Sequence, residues 1–137
     1  MVAAAPPRRL TTAGVDSLYD RAGGMPWFVG LVDRFYVLVE ADPVLRPLYP
    51  PDLGPPRRHL ALFLAQYWGG PAEYEAERGH PRLRRRHFPF AIAQPERDAW
   101  MAHMTAAVLT GDLGVADQAD LLAYFDSAAT ALINQPA

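Results

Sequence analysis

Apolar residues recur at helical spacing along this chain, and clusters of proline and glycine divide them into segments. Leu60, Phe63, Leu64 and Tyr67 follow the i, i+3, i+4, i+7 pattern that puts side chains on one face of a helix. No strand pattern is evident, and no Asn-Gly or Asp-Gly hairpin turn occurs. The spacing therefore predicts an all-α protein with four longer helices and several short helical turns.

Proline marks several of the predicted helix boundaries. A proline in the first turn of a helix costs nothing there, because the missing N–H would have no partner in any case. First-turn prolines are expected at Pro26, at Pro55 or Pro56, and at Pro95. Asp42-Pro43 should end the helix that begins near Pro26, because proline interrupts the hydrogen bonding of a helix interior.

The two ends of the chain differ from its middle. Residues 1–15 are rich in alanine and proline and lack periodicity, so a flexible N-terminal extension is predicted there, followed by a single domain over residues 16–137. Helix caps are expected at Asp16 and at Asp117 with Asp120, and fraying from Asn134 onward.

Composition excludes several classes of protein. The 137 residues suit one domain, and the lack of cysteine excludes disulfides, iron–sulfur clusters, thiolate-bound zinc and covalent c-type haem. A net charge of −2 gives no argument for nucleic-acid binding. No apolar run approaches the roughly 20 residues of a membrane span, and Met1–Arg9 lack the apolar core of a signal peptide. A cytoplasmic protein is expected.

Familiar catalytic patterns are missing from the sequence. Serine is scarce, with Ser17 and Ser127 in terminal helices, and no glycine-rich phosphate loop occurs. The histidines show no i, i+4 pair with an intervening glutamate, which is the pattern of helical zinc sites; they are His59, His80, His87 and His103. Carboxylate pairs fall on predicted helix surfaces.

A basic stretch that ends in histidine is the first candidate for a functional site. His87 follows an arginine run and precedes Phe88-Pro89-Phe90, so it should lie at the C-terminal end of a short helix. A neutral imidazole there could ligate a metal or a flat apolar cofactor. A surface or capping histidine is the alternative.

A set of large aromatic side chains with polar tips is the second candidate for a functional site. Tyr36, Tyr49, Tyr67 and Trp100 lie on or beside predicted core faces. They could simply pack, since each contributes a large apolar area. A buried polar ligand between them would alternatively supply partners for their O–H and N–H groups.

Several separated motifs together resemble one family. They are Tyr19-Asp20 with Gly23-Gly24, Arg34-Phe35-Tyr36, Asp42-Pro43-Val44-Leu45-Arg46 with Tyr49-Pro50, Gln66-Tyr67-Trp68-Gly69-Gly70-Pro71, Arg78-Gly79-His80-Pro81-Arg82-Leu83-Arg84, Arg86-His87 and Glu96-Arg97-Asp98-Ala99-Trp100. From about residue 19 to residue 134 the chain resembles the group II truncated haemoglobins. The resemblance implies a globin-like fold, a truncated two-over-two helical sandwich around non-covalent haem b.

The resemblance also implies roles for individual residues. His87 matches the proximal histidine that ligates iron, and Tyr36, Tyr49 and Trp100 match the polar distal residues. Further haem contacts are expected at Leu60, Phe63, Tyr67, Phe90 and Ile92, with Arg84 and His59 toward the propionates. Pro56 matches the position where other globins carry a distal histidine or glutamine, and it has no side-chain donor.

Three functions follow as alternatives. The first is reversible binding of O₂, and of CO and NO, with slow O₂ release, because two or three donors would stabilise the partial negative charge on bound O₂. The second is a haem-dependent NO dioxygenase or peroxidase, which would act on NO or peroxide and need an unidentified reductase. The third is a helical interaction module without a cofactor. The oligomeric state stays open, with a homodimer as one option.

Overall fold

The computed structural model describes residues 9–11 and 14–136 and is built almost entirely from helices. The helices are α1 Leu18–Ala22, α2 Met25–Glu40, a 3-10 turn Arg46–Leu48, α3 Gly54–Tyr67, α4 Glu73–Arg78, α5 Leu83–His87, α6 Gln94–Leu109 and α7 Val115–Ala131. Prolines occupy the first turns of α2, α3 and α6. The predicted all-α fold with four longer helices is confirmed.

The four longer helices form two packed pairs. α2 lies against α3, α6 lies against α7, and contact between α2 and α6 joins the pairs. The shared core contains Phe28 and Phe35 from α2, Met104 from α6 and Phe125 from α7, each at most 1% exposed. Burial of such large apolar side chains provides most of the driving force for this arrangement. None of the described helices is long and apolar enough to cross a membrane.

A short antiparallel strand pair precedes the helices. β1, Arg9–Thr11, pairs with β2, Gly14–Asp16, and Leu10 lies opposite Val15 in this register. The sequence did not predict these strands, because three residues are too few to establish an alternating pattern. The predicted flexible extension over residues 1–15 otherwise lies outside the described residues.

The cap of α1 is Ser17 rather than the predicted Asp16. The Ser17 hydroxyl accepts a hydrogen bond from the Asp20 N–H at 3.2 Å, and the Asp20 carboxylate accepts one from the Ser17 N–H at 3.5 Å. This reciprocal capping box satisfies two donors at the start of the helix. The Tyr19 N–H donates to the Trp68 carbonyl at 3.0 Å, so α1 is also tied to the end of α3.

Asp117 ties the last helix to the first instead of serving as its N-cap. α7 begins after Gly114, so Asp117 is the third helical residue. It is 8% exposed and accepts two hydrogen bonds from Arg21, at 2.9 and 3.1 Å. These bonds raise the pKa of Arg21. The fork of a guanidinium fits a carboxylate in this bidentate manner, which explains the choice of arginine.

The C-terminal segment is anchored where fraying was predicted. Asn134 follows α7, and its N–H donates to the Ile92 carbonyl at 2.9 Å. Its side chain makes further bonds to the same region. The prediction of fraying is therefore wrong at Asn134, because long-range hydrogen bonds hold a segment that has no helical pattern of its own.

Candidate functional site

A cavity of about 370 Å³ lies among the helices and is lined mainly by apolar side chains. This volume falls within the roughly 300–1,000 Å³ that is typical of small-molecule and cofactor sites. The lining includes most of the residues predicted to contact a cofactor, namely Tyr36, Tyr49, His59, Leu60, Phe63, His87, Phe90, Ile92 and Trp100. Tyr67 and Arg84 are not part of it. The fold thus brings together side chains from α2, α3, α5 and α6 that are far apart in the sequence.

His87 is the last residue of α5, at the predicted helix end, and its ring is oriented by its own helix. Its Nδ1 atom lies 2.6 Å from the carbonyl oxygen of Leu83, one turn earlier. A carbonyl can only accept, so Nδ1 must carry the proton. The neutral ring then keeps a lone pair on Nε2, which is the atom available for a metal. Phe88 adopts helical angles despite the proline that follows it, contrary to the expectation for a residue before proline.

Tyr36, Tyr49 and Trp100 form a hydrogen-bonded cluster in the cavity lining. The Tyr49 hydroxyl accepts hydrogen bonds from Trp100 and from Tyr36, and the Tyr36 and Tyr49 rings meet edge to face at 5.5 Å. Burial raises the pKa of Tyr49 to about 12, and the two bonds that it accepts oppose this shift. Burial, then the neighbouring Tyr49, also raises the pKa of Tyr36.

The bonds that Tyr49 accepts leave its hydroxyl able to donate toward the cavity. A hydroxyl that accepts two hydrogen bonds still carries its own proton, and Tyr49 lines the cavity. Bonds in a chain polarise one another, so donation from Trp100 and Tyr36 makes the Tyr49 proton a stronger donor. The raised pKa keeps this hydroxyl protonated at neutral pH.

Arg78, Arg86 and His59 form one polar part of the lining. Arg78 Nη1 lies 3.0 Å from His59 Nε2 and 3.1 Å from Nδ1. Burial, and next the charge of Arg78, lowers the pKa of His59, which favours the neutral ring that can accept from arginine. Arg86 donates to the carbonyls of Pro81 and Arg78 and so braces the loop between α4 and α5.

Arg78 has an unused donor. Its Nε atom is buried and finds no hydrogen-bond partner within the residues that the structure describes. A buried guanidinium donor without a partner is costly, and a carboxylate is the group whose geometry matches it best. The site is therefore suited to a ligand that presents a carboxylate beside Arg78.

Arg84 lies outside the lining because of the register of α5. Leu83, Arg86 and His87 are spaced i, i+3, i+4 and share the face toward the cavity, whereas Arg84 is exposed. Its predicted propionate contact stays a prediction. Arg86 and Arg78 line the cavity although neither was predicted to do so, and the spacing of Arg86 from Leu83 was a usable signal.

Tyr67 is not in the cavity lining but packs against a tyrosine that is. Its ring centroid is 4.4 Å from that of Tyr124, which does line the cavity and was not among the predicted residues. Burial raises the pKa of both tyrosines. The haem contact predicted for Tyr67 stays a prediction.

His87 is the predicted metal ligand in the lining, and no cluster of ligands surrounds it among the described residues. No group of three or more histidine, cysteine, aspartate or glutamate side chains that could hold a metal ion occurs in the described part of the chain. Pro56 lines the cavity at the start of α3 and offers no side-chain donor. A metal here would need most of its ligands from a cofactor, with His87 as the ligand from the protein.

Comparisons with known proteins point to one family. The model of the bacterial-like globins matches residues 17–134. The group 2 truncated hemoglobin YjbI of Bacillus subtilis is 47% identical over 78 residues, which span 57% of this chain and 59% of that protein, less than two thirds of its length.

Solved structures agree over a longer range. A thermostable hemoglobin from the actinobacterium Thermobifida fusca is 50% identical, with a TM-score of 0.86 over 89% of this chain and 100% of that one. A truncated oxygen-avid haemoglobin from Bacillus subtilis is 36% identical, with a TM-score of 0.82 over 87% of this chain and 100% of that one. These similarities confirm the resemblance to the group II truncated haemoglobins.

Proposed function

The chain belongs to the bacterial-like globin family, and on that premise we propose that it binds haem b non-covalently and takes up O₂ reversibly with slow release. CO and NO are the other ligands expected. The observation that carries the proposal is the meeting, in one cavity, of His87 with the hydrogen-bonded cluster of Tyr36, Tyr49 and Trp100.

The residues of the cavity fit haem in shape and chemistry. The cavity is open on one side and lined mainly by aromatic and aliphatic side chains, which suits a porphyrin. His87 offers Nε2 with Nδ1 already engaged, and the unpartnered Nε of buried Arg78 suits a carboxylate such as a propionate. The lack of cysteine leaves non-covalent binding as the form consistent with the sequence.

Bound haem would supply an iron centre that takes a diatomic ligand at the position left open by His87. Tyr49 is the residue that we propose to donate directly to this ligand, because its hydroxyl proton remains available. Trp100 and Tyr36 hold the Tyr49 oxygen in place through the bonds that they donate to it. Such preorganised donors beside a largely apolar lining favour a ligand that gains negative charge, as O₂ does more than CO.

This arrangement favours retention of O₂ over rapid delivery. A hydrogen bond to a charged group is worth about 1.5–3 kcal/mol, and about 1.4 kcal/mol corresponds to a tenfold change in an equilibrium constant. Donation from Tyr49 should therefore slow O₂ release by one to two orders of magnitude. The similarity to a haemoglobin described as oxygen-avid supports the same direction.

The absorption spectrum of the purified protein, reduced with dithionite, tests the cofactor assignment. We expect a strong Soret band that shifts when CO is added, and O₂ dissociation in stopped flow that is slow relative to a Tyr49→Phe variant. Absence of a Soret band after incubation with hemin would overturn the proposal.

A histidine exchange tests the ligand. His87→Gly should lose the axial bond, and added imidazole should restore the wild-type spectrum. His80→Ala is the matched control, since His80 is exposed and its ring accepts a bond from the Arg82 N–H. A His87→Gly spectrum identical to that of the wild type without imidazole would remove His87 from its proposed role.

A haem-dependent enzyme, an NO dioxygenase or a peroxidase, is the second candidate. The observation that favours it is the same proton-donating cluster, because Tyr49 could also polarise a ligand for reaction. Electrons would have to come from a separate reductase. Mixing the oxygenated protein with NO should then yield nitrate stoichiometrically, and slow reaction together with no peroxidase turnover would eliminate this candidate.

A further inference from the structure

The Asn134 side chain bonds to three backbone groups at the end of α5 and in the segment that follows it. Its Nδ2 donates to the carbonyls of His87, at 3.2 Å, and Phe90, at 2.8 Å. Its Oδ1 accepts from the Ile92 N–H at 2.9 Å. Its own N–H and that of Gln135 both donate to the Ile92 carbonyl, at 2.9 and 3.1 Å.

The segment held by Asn134 has little support of its own. Residues 88–93 form turns and irregular structure between α5 and α6, and Phe88, Pro89 and Phe90 are exposed. Within it, the Phe90 N–H donates to the His87 carbonyl at 3.0 Å. Pro89 has no N–H to contribute. The position of the segment therefore depends on bonds from outside it.

This same segment carries one side of the candidate site. His87 ends α5 immediately before it, and Phe90 and Ile92 line the cavity from within it. The Nδ1 bond to Leu83 orients the imidazole relative to α5 but does not place the end of α5 in the molecule. Asn134 does so, by bonding the His87 carbonyl to the C-terminal end of α7.

We propose that Asn134 is a positioning residue for His87, which fixes the end of α5 and the segment up to Ile92 against α7. The proposal rests on the proposed haem function and adds to it a determinant of haem retention and of the iron–histidine bond. Asparagine suits the task because its amide offers two donors and an acceptor in one plane. Aspartate has the same shape but would present oxygen to two carbonyl oxygens.

The test compares Asn134→Ala and Asn134→Asp with Gln135→Ala. Gln135 is the matched control, because its side chain makes a 3.5 Å contact to Asn134 and its bond to Ile92 comes from the backbone. Haem loss to excess apomyoglobin should be roughly tenfold faster in both Asn134 variants, because both lose the bonds from Nδ2 that hold the end of α5. Gln135→Ala should behave as the wild type.

Two further readouts separate positioning from general destabilisation. The iron–histidine stretching band in resonance Raman spectra of the reduced protein should shift or broaden in the Asn134 variants. The Ile92 amide should exchange its hydrogen about tenfold faster, while amides in the middle of α2 keep their rates. Asn134→Asp provides a second variant of unchanged size should Asn134→Ala fail to fold.

The outcomes distinguish this proposal from the one on which it rests. Wild-type protein that takes up no haem would overturn both. Wild-type protein that holds haem, with Asn134 variants whose haem loss and iron–histidine band match it, would overturn the role of Asn134 alone.

Discussion

The guanidinium carbon of Arg57 lies 5.9 Å from the centre of the Tyr36 ring, so a cation on α3 faces an aromatic ring on α2. Arg57 also approaches Asp33 at 3.6 Å, but Asp33 is 53% exposed and screened by water. Burial and the neighbouring Tyr49 raise the pKa of Tyr36, and the positive charge of Arg57 offsets part of this rise. Without this charge the Tyr36 hydroxyl should be a weaker hydrogen-bond donor to Tyr49.

Replacing Arg57, which does not line the cavity, should therefore weaken the retention of a ligand inside it. In Arg57→Met we expect O₂ to dissociate about two- to fivefold faster, which corresponds to a hydrogen bond to the ligand weakened by about 0.5–1 kcal/mol. The measurement is stopped-flow displacement of O₂ by CO. In a Tyr36→Phe background the same exchange should have no further effect, because the hydroxyl through which Arg57 acts is gone.

Arg58→Met is the control for this experiment. Arg58 is the next residue on α3, its side chain is 61% exposed, and it pairs with Glu77. It should leave O₂ dissociation unchanged. Equal effects of Arg57→Met and Arg58→Met would mean that net charge, rather than the contact with Tyr36, governs the rate.

The two residues that donate to Tyr49 should matter less than Tyr49 itself. Tyr49→Phe removes the proposed direct donor and should speed O₂ release by about 10- to 100-fold, as expected for loss of a bond to a charged group. Trp100→Phe keeps most of the bulk and deletes one bond that Tyr49 accepts, so about a fivefold increase is expected. CO dissociation should change little in either variant.

Tyr67→Phe provides the reference for hydroxyl loss outside the cavity lining. It should leave O₂ dissociation within a factor of two of the wild type, because Tyr67 lies behind Tyr124. A larger effect of Trp100→Phe than of Tyr49→Phe would contradict the assignment and identify Trp100 as the direct donor.

The helices could be predicted from the sequence because their signals are local. Apolar spacing located the core faces of α2 and α3, and prolines such as Pro26 and Pro95 marked helix starts within a residue or two. The caps were less predictable. Asp16 and Ser17 are both good N-cap residues, and the choice of Ser17 depends on the tie between α1 and the end of α3.

The sequence predicted those site residues whose type and motif allow one role. It did not predict which of several residues of the same type faces the cavity. His87 and the aromatic donors could be identified from the motif set, and the cavity contains them. The sequence could not show which arginine of α5 lines the cavity, because Arg84 and Arg86 differ only in the face of this short helix on which they lie. Asn134 was missed for another reason, since its partners lie 42–47 residues away and give no local pattern.

Asp42 should make stability depend on pH in the acid range. Its carboxylate lies 2.6 Å from His103 Nε2 and accepts a bond from the Val44 N–H at 2.8 Å. These contacts, His103 first, lower the pKa of Asp42 below its ordinary value of 3.8. A lowered pKa in the folded state stabilises the fold above that ordinary value, and the contribution is lost as the pH falls through the folded-state pKa.

Asp42→Asn should thus be less stable than the wild type at pH 7, and the difference should shrink below about pH 4. Urea unfolding at several pH values between 7 and 3 measures this difference in the free energy of unfolding. Asp112→Asn, at an exposed position, serves as the control. A difference that stayed constant down to pH 3 would show that the charge of Asp42 contributes nothing.

Any side chain at Gly69 should destabilise the fold through a steric clash, in addition to the strain from its backbone angle. Its φ is +110°, and a Cβ atom there would lie 2.2 Å from the Cβ and 2.5 Å from the Oγ of Ser17, the buried cap of α1. Gly23 has a similar φ of +101°, but a Cβ there meets no atom within 4 Å. Gly23→Ala therefore carries backbone strain alone, about 1–2 kcal/mol.

Gly69→Ala should cost a further ~1–3 kcal/mol, as overpacking typically does, because Ser17 must move and its capping bonds to Asp20 weaken. Urea unfolding followed by helical circular dichroism gives both free energies. The comparison isolates the close approach of α1 to the end of α3, since the two variants share the same change and nearly the same φ. Equal losses of unfolding free energy in Gly23→Ala and Gly69→Ala would mean that α1 can shift without a free-energy cost. Backbone strain alone would then explain glycine at position 69.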